Sequence, residues 1–260
     1  MTHPEPSQSG RGASGDKELA PARGGETAHD LARVFDATIL ALARAAEPGE
    51  TGNHILRVQH FVRALAQKLK TSPAYGRPMS DRAIALFFRA APLHDIGNAG
   101  VPDRILLKPG PLTDEELDVV KTHPVLGRSA IDQIKKSAGL STEFLEAARD
   151  IAHSHHERWD GGGYPQGLAG EAIALSGRLT AIADAYDALT SDRVYRAGVP
   201  HDKAVQLMFQ ERAAHFDPDM VDAFIEIQDE FQAIAKRFAD TEVDFQKKID
   251  YMAKAIAESP

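Results

Sequence analysis

His153-Ser-His-His-Glu-Arg-Trp-Asp-Gly-Gly-Gly-Tyr-Pro165 places two adjacent imidazoles, His155 and His156, ahead of acids, an aromatic ring, a glycine run and a Tyr-Pro turn. The residues before it, Thr142 to Ile151, have helical periodicity: Phe144, Ala148 and Ile151 fall at i, i+4 and i+7, and His155 continues the row. Successive helical side chains point about 100° apart, so two histidines at the end of such a face converge more readily on a metal pair than on one ion. Gly161, Gly162 and Gly163 let the backbone turn sharply and approach a ligand, and Tyr164-Pro165 fixes the exit. The histidine pair alone is also explained by a core imidazole beside an exposed one; the attached loop argues for a site.

Working towards the N-terminus, Thr113 to Glu116 spell a capping box, T-D-E-E, opening a helix with Leu117 and Val120 that reaches His123, with Pro124 directly after it. An imidazole at a helix interruption can face a cavity, although a lone histidine there is as well explained structurally. Ser80 caps a helix from Asp81 to Leu93 with Ile84, Phe87, Phe88 and Ala91 inward, ending in His94-Asp95-Ile-Gly. His-Asp also occurs at His29-Asp30 and His201-Asp202, so the dipeptide identifies nothing. His94-Asp95 differs in following an apolar helix, where a buried ionisable pair needs a partner such as a metal. Further upstream, Glu47-Pro-Gly-Glu-Thr-Gly-Asn-His54 leads into a helix carrying Ile55, Val58, Val62, Leu65 and Leu69. If that helix begins by Glu50, Glu50 and His54 share a face and can grip one cation; a first-turn carboxylate is equally favoured by the helix dipole. Thr27 can cap a helix from Ala28 to Ala46 with Leu31, Val34, Phe35, Ile39 and Leu42 inward. Residues 1–27, rich in Gly, Pro, Ser and Ala, read as a disordered tail.

Downstream, Ser176 can cap a helix with Leu179, Ile182, Tyr186 and Leu189 on one side and Asp184 and Asp187 among alanines elsewhere. Alanine all round implies several close neighbours, hence buried carboxylates that need a cation or several donors. Arg193 and Arg196, three apart, suit either a phosphate or a solvated turn. Asp217-Pro218 is an N-cap with proline at N1, followed by Val221, Phe224, Ile225, Phe231, Ile234 and Phe238 at helical spacing; Thr241 begins a last helix striped with Phe245, Ile249, Met252 and Ile256. These stripes read as packing or dimer surfaces. No strand pattern, Rossmann fingerprint or fixed-period repeat is present, so the expected fold is all-α, an HD-type helical domain at 28–216 with a C-terminal helical extension at 217–260.

The 260 residues are 43% hydrophobic and 26% charged, ordinary for a globular chain with a sizeable core. The absence of cysteine excludes disulfides, thiolate metal sites and a cysteine nucleophile. A net charge of −8 argues against duplex nucleic acid or an anionic membrane as the main partner. No apolar run is long enough to span a membrane, and the N-terminus lacks a basic-then-apolar leader pattern, so a cytoplasmic location is expected.

His94-Asp95-Ile-Gly, His123-Pro, H-H-E-x-x-D-G-x-G-Y-P from His155 to Pro165, and Ala183-Asp184-x-x-Asp187-Ala-Leu-Thr-Ser-Asp-Arg193 together resemble the HD-GYP family of bacterial cyclic di-GMP phosphodiesterases. The resemblance runs from about Glu47 to Phe216 and implies a site for two or three divalent ions, iron or manganese. It implies His94, Asp95, His123, His155, His156 and Asp184 as ligands, with Asp95 bridging, and Glu50 and His54 as the pair serving a third ion. Arg193 and Arg196 match positions that hold substrate phosphate, and Gly163-Tyr164-Pro165 is the signature loop near the nucleotide. Tyr164 there either contacts guanine or braces the loop. The family's usual lysine after His-Asp-Ile-Gly is Asn98 here, which can donate to phosphate but brings no charge. The implied reaction is metal-dependent: ions neutralise the phosphodiester and acidify a bridging water, giving linear pGpG and, by further cleavage, GMP. Histidine and carboxylate ligation without thiolate suits octahedral iron or manganese. Two other readings stand beside it: a cyclic-dinucleotide sensor or docking module, which Asn98 keeps open, and an HD phosphohydrolase of another cyclic dinucleotide. A homodimer or a regulatory protein partner is compatible with either.

Overall fold

The computed structural model describes residues 27–76, 78–193 and 196–258; the expected disordered tail falls, apart from Thr27, outside them. The chain folds into helices α1 (Ala28–Ala46), α2 (Gly52–Leu69), α3 (Asp81–Ala90), α4 (Asp103–Leu106), α5 (Asp114–Val120), α6 (His123–Ala138), α7 (Glu143–Ser154), α8 (Leu175–Thr190), α9 (His201–Gln210), α10 (Pro218–Glu226), α11 (Gln228–Arg237) and α12 (Glu242–Glu258). Among the described residues there is no strand, only two isolated bridges, Arg193 with Arg196 and Arg212 with Phe216. The fold is all-α.

Local chemistry sets many of the boundaries. Thr27 and Thr113 close capping boxes, with Asp30 and Glu116 reaching back to the cap nitrogen, while Ser80 and Thr142 accept the third amide of α3 and α7. Asp217 caps α10 ahead of Pro218. Ser176, expected as a cap, instead lies buried inside α8, which starts at Leu175 without a side-chain cap. The first turn of α8 packs on α7, where Gly177 meets Ser154, and this contact replaces the cap in setting the start.

α2 and α8 lie at the centre, with α3, α10 and α11 around α2, α7 and α9 against α8, and α6 on α7. The main core gathers Val58, Phe61, Val62 and Leu65 of α2 with Leu179, Ile182 and Tyr186 of α8 and Met220, Phe224 and Phe231 of α10 and α11. Phe61 stacks on Phe231 at 4.6 Å between centroids and meets Tyr186 edge-on at 5.2 Å. A second cluster joins Ile39, Ala90, Leu93, Ile131, Ala148 and Ile151. The α1 stripe departs from expectation: Ile39 is buried, but Leu31, Val34, Phe35 and Leu42 are exposed. α1 touches α2 and the two 3-10 turns after α3, which cover its C-terminal half. Leu31 and Val34 stay 54% and 59% exposed, and periodicity buries a side chain only where a neighbour exists.

Candidate metal centre

The candidate centre forms where helix ends meet. α3 runs into a 3-10 turn, Ala91–Leu93, that delivers His94 and Asp95, and a second, Ile96–Gly100, that turns the chain away. Gly97 permits this: a Cβ there would overlap the carbonyl oxygen of His123, so no other residue lets the turn seat against α6. His123 opens α6, His155 caps the end of α7 with His156 next to it, His54 sits in the first turn of α2, and Asp184 in the middle of α8.

Three imidazoles are aimed by the same local device. The Nδ1 atoms of His94, His123 and His155 lie 3.0, 2.8 and 3.0 Å from the carbonyl oxygens of Ala91, Val120 and Ile151, three or four residues back. Donation there places the lone pair on Nε2, pointing inward. Asp95 Oδ1 then stands 3.1 Å from His123 Nε2 and 3.2 Å from His155 Nε2, and those two nitrogens are 3.4 Å apart. His156 completes this group. On the other side, His54 Nε2 is 3.3 Å from His94 Nε2 and 3.5 Å from Glu47 Oε2, forming a second group. Asp95 Oδ2 is 3.9 Å from His94 Nε2, and Asp184 Oδ1 is 4.0 Å from both His54 Nε2 and His94 Nε2. Asp95 and Asp184 thus lie between the groups.

Electron-pair donors facing one another at such distances are mutually repulsive unless a cation or proton lies among them. Among the described residues, both Glu47 oxygens and Asp95 Oδ1 are buried without a hydrogen-bond donor. The donor set is therefore one that divalent cations fit. Burial opposes ionisation of Asp95, yet His94, His123 and His155 hold its carboxyl well below the usual range. Burial, reinforced by His155, pushes His156 well down, the neutral form a ligand needs. Burial likewise pushes Glu47 well up, with His54 opposing.

Sequence reasoning did not assign two residues of this arrangement, Glu47 and Asp187. Asp187 Oδ2 lies 2.7 Å from His54 Nδ1, and Arg57 Nε donates to Asp187 Oδ1 at 2.5 Å. Burial opposes ionisation of Asp187, but His54 and Arg57 bring its pKa down to about 2; burial also opposes protonation of His54, yet Asp187 and Glu47 bring it up to about 10. A cation on Nε2 must displace that proton, while Asp187 keeps the ring oriented. The signal for Asp187 was its position on an alanine-lined helix; Glu47 gave none beyond lying near Glu50. Glu50 precedes α2 by two residues, so it does not share a helical face with His54. Its carboxylate faces Lys248 Nζ at 3.2 Å and Arg193 at 3.5 Å.

The remaining candidates line one opening. A cavity of about 350 Å³ is bounded by Glu47, Glu50, His54, Asp95, Asn98, His156, Asp184 and Arg193. Asn98 Nδ2 donates to Asp95 Oδ2 at 3.0 Å. Arg196 is not part of that lining and donates to the carbonyl of Ala188, which is. Tyr164 stacks on His156 with centroids 4.9 Å apart, and Gly163 lies so close to the Glu157-Arg158 backbone that a Cβ would overlap it. Pro165 follows through a cis bond, and the Glu157 carboxylate accepts the next amides, Gln166 at 2.7 Å and Leu168 at 2.9 Å.

The family model described as HD domain matches residues 39–220. The chain is 48% identical over 215 residues to a "Probable cyclic di-GMP phosphodiesterase" of Vibrio cholerae, covering 82% of this chain and 49% of the relative. It is 47% identical over 216 residues to a "Cyclic di-GMP phosphodiesterase" of the same organism, covering 82% and 44%. A third relative from that organism, "3'3'-cGAMP-specific phosphodiesterase 2", is 35% identical over 213 residues, covering 81% and 38%. The chain spans about half the length, or less, of these curated relatives. With its His94-Asp95 pair facing His123, His155 and His156 beside the Gly163-Tyr164-Pro165 loop, the chain belongs to the HD domain family and carries the signature of its HD-GYP branch.

Proposed function

We propose that this chain is a metal-dependent phosphodiesterase that hydrolyses cyclic di-GMP to linear pGpG, with GMP as the product of any further cleavage. The observation that carries the reading is the Asp95 carboxylate set between two groups of inward-facing imidazole nitrogens, on the wall of an open cavity. Its support from similarity is the pair of relatives at 47–48% identity whose names state that activity.

In this reading His94, His123, His155, His156, Asp95 and Asp184 hold two divalent ions, and iron or manganese suits a donor set of imidazole and carboxylate in a chain without cysteine. When bound, such ions supply charge neutralisation for a phosphodiester and lower the pKa of water. The chain's own residues do the rest. The carbonyls of Ala91, Val120 and Ile151 fix the imidazoles before substrate arrives, so little reorganisation is left for the reaction. Asn98 donates to Asp95 Oδ2 and so holds the orientation of a carboxylate that would serve the ions. Arg193 offers a guanidinium at the cavity edge for a non-reacting phosphate oxygen. Tyr164, stacked on His156, presents the ring of the glycine loop to the base.

Asp95→Asn keeps size and removes the carboxylate charge that lies between the two imidazole groups. Hydrolysis of cyclic di-GMP by the manganese-loaded protein, followed by chromatography of pGpG, should fall roughly 10²- to 10³-fold. Unchanged turnover would place the chemistry elsewhere. A second substrate reading is favoured by the relative named for 3'3'-cGAMP, and the same assay with both dinucleotides decides it: faster cleavage of 3'3'-cGAMP would reassign the substrate. Nucleotide bound by the metal-loaded protein but left uncut would make the chain a sensor.

A further inference from the structure

The exposed apolar residues of α1 form one row. Leu31, Val34, Thr38, Ala41 and Ala45 follow at alternating steps of three and four, the spacing of a two-helix seam, and each is exposed. Phe35 and Leu42 flank the row and remain 42% and 50% exposed, with Phe35 edge-on to Phe144 at 5.0 Å. The one hydroxyl in the row is satisfied locally, since Thr38 Oγ1 donates to the Val34 carbonyl at 2.8 Å. α1 is held to the body by a different face, through Ile39, Ala43 and Ala46. That packing and the Thr27 capping box keep it helical before any partner arrives, so pairing carries no cost of helix nucleation. Isolated surface leucines are ordinary, but a continuous apolar row over about four turns is an association surface.

What covers the row follows from its own asymmetry. Its first half is bulky, with Leu31, Val34 and Phe35, whereas its second half is built on Ala41 and Ala45. The charges beside it are opposed along the same axis, Asp30 in the first turn and Arg44 in the last. A second α1 running the other way matches both. With the two-fold axis at residue 36, Leu31 lies over Ala41 of the second copy, Val34 over its Thr38, and Asp30 faces its Arg44. Opposed helix dipoles favour the same arrangement. A parallel pair would instead set Leu31 on Leu31 and Ala41 on Ala41, crowding one half and leaving the other loose. It would also bring Asp30 beside Phe35 of the second copy, with no cation to meet it.

We infer that this chain forms a homodimer through antiparallel packing of α1 on α1. Size and charge that complement themselves about a two-fold axis fit an isologous contact between identical chains. The interface depends on neither the metal centre nor the identity of the nucleotide.

Sedimentation equilibrium of the 260-residue chain should give the mass of a dimer. Val34→Glu, which places a charge in the seam, should raise the dimer dissociation constant at least tenfold and leave the far-ultraviolet circular dichroism unchanged. Arg44→Glu, which sets a carboxylate against Asp30 of the second copy, should weaken the dimer several-fold. Orientation is read by cross-linking, because the chain has no cysteine to interfere. Leu31→Cys combined with Ala41→Cys should form a covalent dimer on mild oxidation. Leu31→Cys alone should not, since antiparallel pairing keeps the two copies of residue 31 ten positions, about 15 Å, apart along the axis, beyond the reach of a disulfide. A monomeric wild type overturns the inference and leaves the row to residues 1–26 or to a different protein. Cross-linking of Leu31→Cys alone would mean parallel pairing, and an undiminished dimer in Val34→Glu would put the interface on another surface; either result overturns it as well.

Discussion

At the scale of single residues, the centre depends on side chains that hold other side chains. Asp187 lies between Arg57 and His54, and Arg57 is tied onward to the Phe238 carbonyl at 2.9 Å and Asp240 at 3.2 Å. This chain of bonds sets the His54 ring plane and tautomer. Asp187→Asn keeps the shape but loses the charge that orients the ring, and loss of such an outer carboxylate weakens metal affinity about 10- to 100-fold. Calorimetric Mn²⁺ titration should show that weakening in one class of site, with the Asp95 group unaffected. Asn98 belongs at this scale too. Its amide donates to Asp95 Oδ2 at 3.0 Å, and in the proposed reading that bond orients the carboxylate.

At the scale of elements, α2 is the hinge of the arrangement, since it carries His54 and Arg57 on one side and the core stripe on another. His60 lies on its remaining side, stacked on Phe238 at 4.7 Å and edge-on to Phe88 at 5.3 Å. Arg63 Nη2 donates to His60 Nδ1 at 2.8 Å, so that nitrogen must be unprotonated. Burial, with the charges of Arg63 and Arg237, pulls the His60 pKa from 6.5 to about 4. The unfolded chain therefore takes up this proton first as pH falls. Stability from His60 is intact above about pH 6.5 and is lost progressively towards pH 4. Between pH 7.5 and 5 the wild type should lose about 1 kcal/mol more than His60→Gln, after discounting a partly exposed site for solvent screening. Urea unfolding of both proteins at the two pH values measures the difference, and equal losses would rule the effect out.

At the scale of the molecule, the segment after residue 216 is part of the core. Phe224 and Phe231 are fully buried against Phe61 and Tyr186, and Asp217 joins Tyr75 and Arg178 through bonds of 2.7 and 2.6 Å. Phe231→Ala should cost about 3–5 kcal/mol, read as a lower urea midpoint, because the stacked ring leaves a cavity in rigid surroundings. Because Phe61 and Tyr186 share α2 and α8 with His54 and Asp184, metal affinity should fall with it. A variant with unchanged stability would show that the tail is dispensable to the core. α12 adds a separate link: Lys248 faces Glu50, and Tyr251 reaches Asp103 at 3.2 Å.

What the sequence determined alone is whatever short-range chemistry dictates. The cap at Thr27, the capping box at Thr113, the proline after Asp217 and the absence of any strand period marked the all-helical fold. His94, Asp95, His123, His155 and His156 could be listed together from the sequence because they lie at or next to helix ends, and for His94, His123 and His155 a carbonyl three or four residues back sets the ring. The tertiary structure alone decided what depends on which surfaces meet. Whether Leu31 and Val34 are covered is a question of neighbours, and periodicity carries no information about them. The turn between α1 and α2 decides whether Glu47 or Glu50 turns inward, and α12, almost two hundred residues away, provides the lysine that engages Glu50. Asp187 became an orienting group only when α2 packed on α8 and brought Arg57 and His54 to it. Charge burial is a property of the assembled molecule, and so the outer carboxylates could be named only in three dimensions.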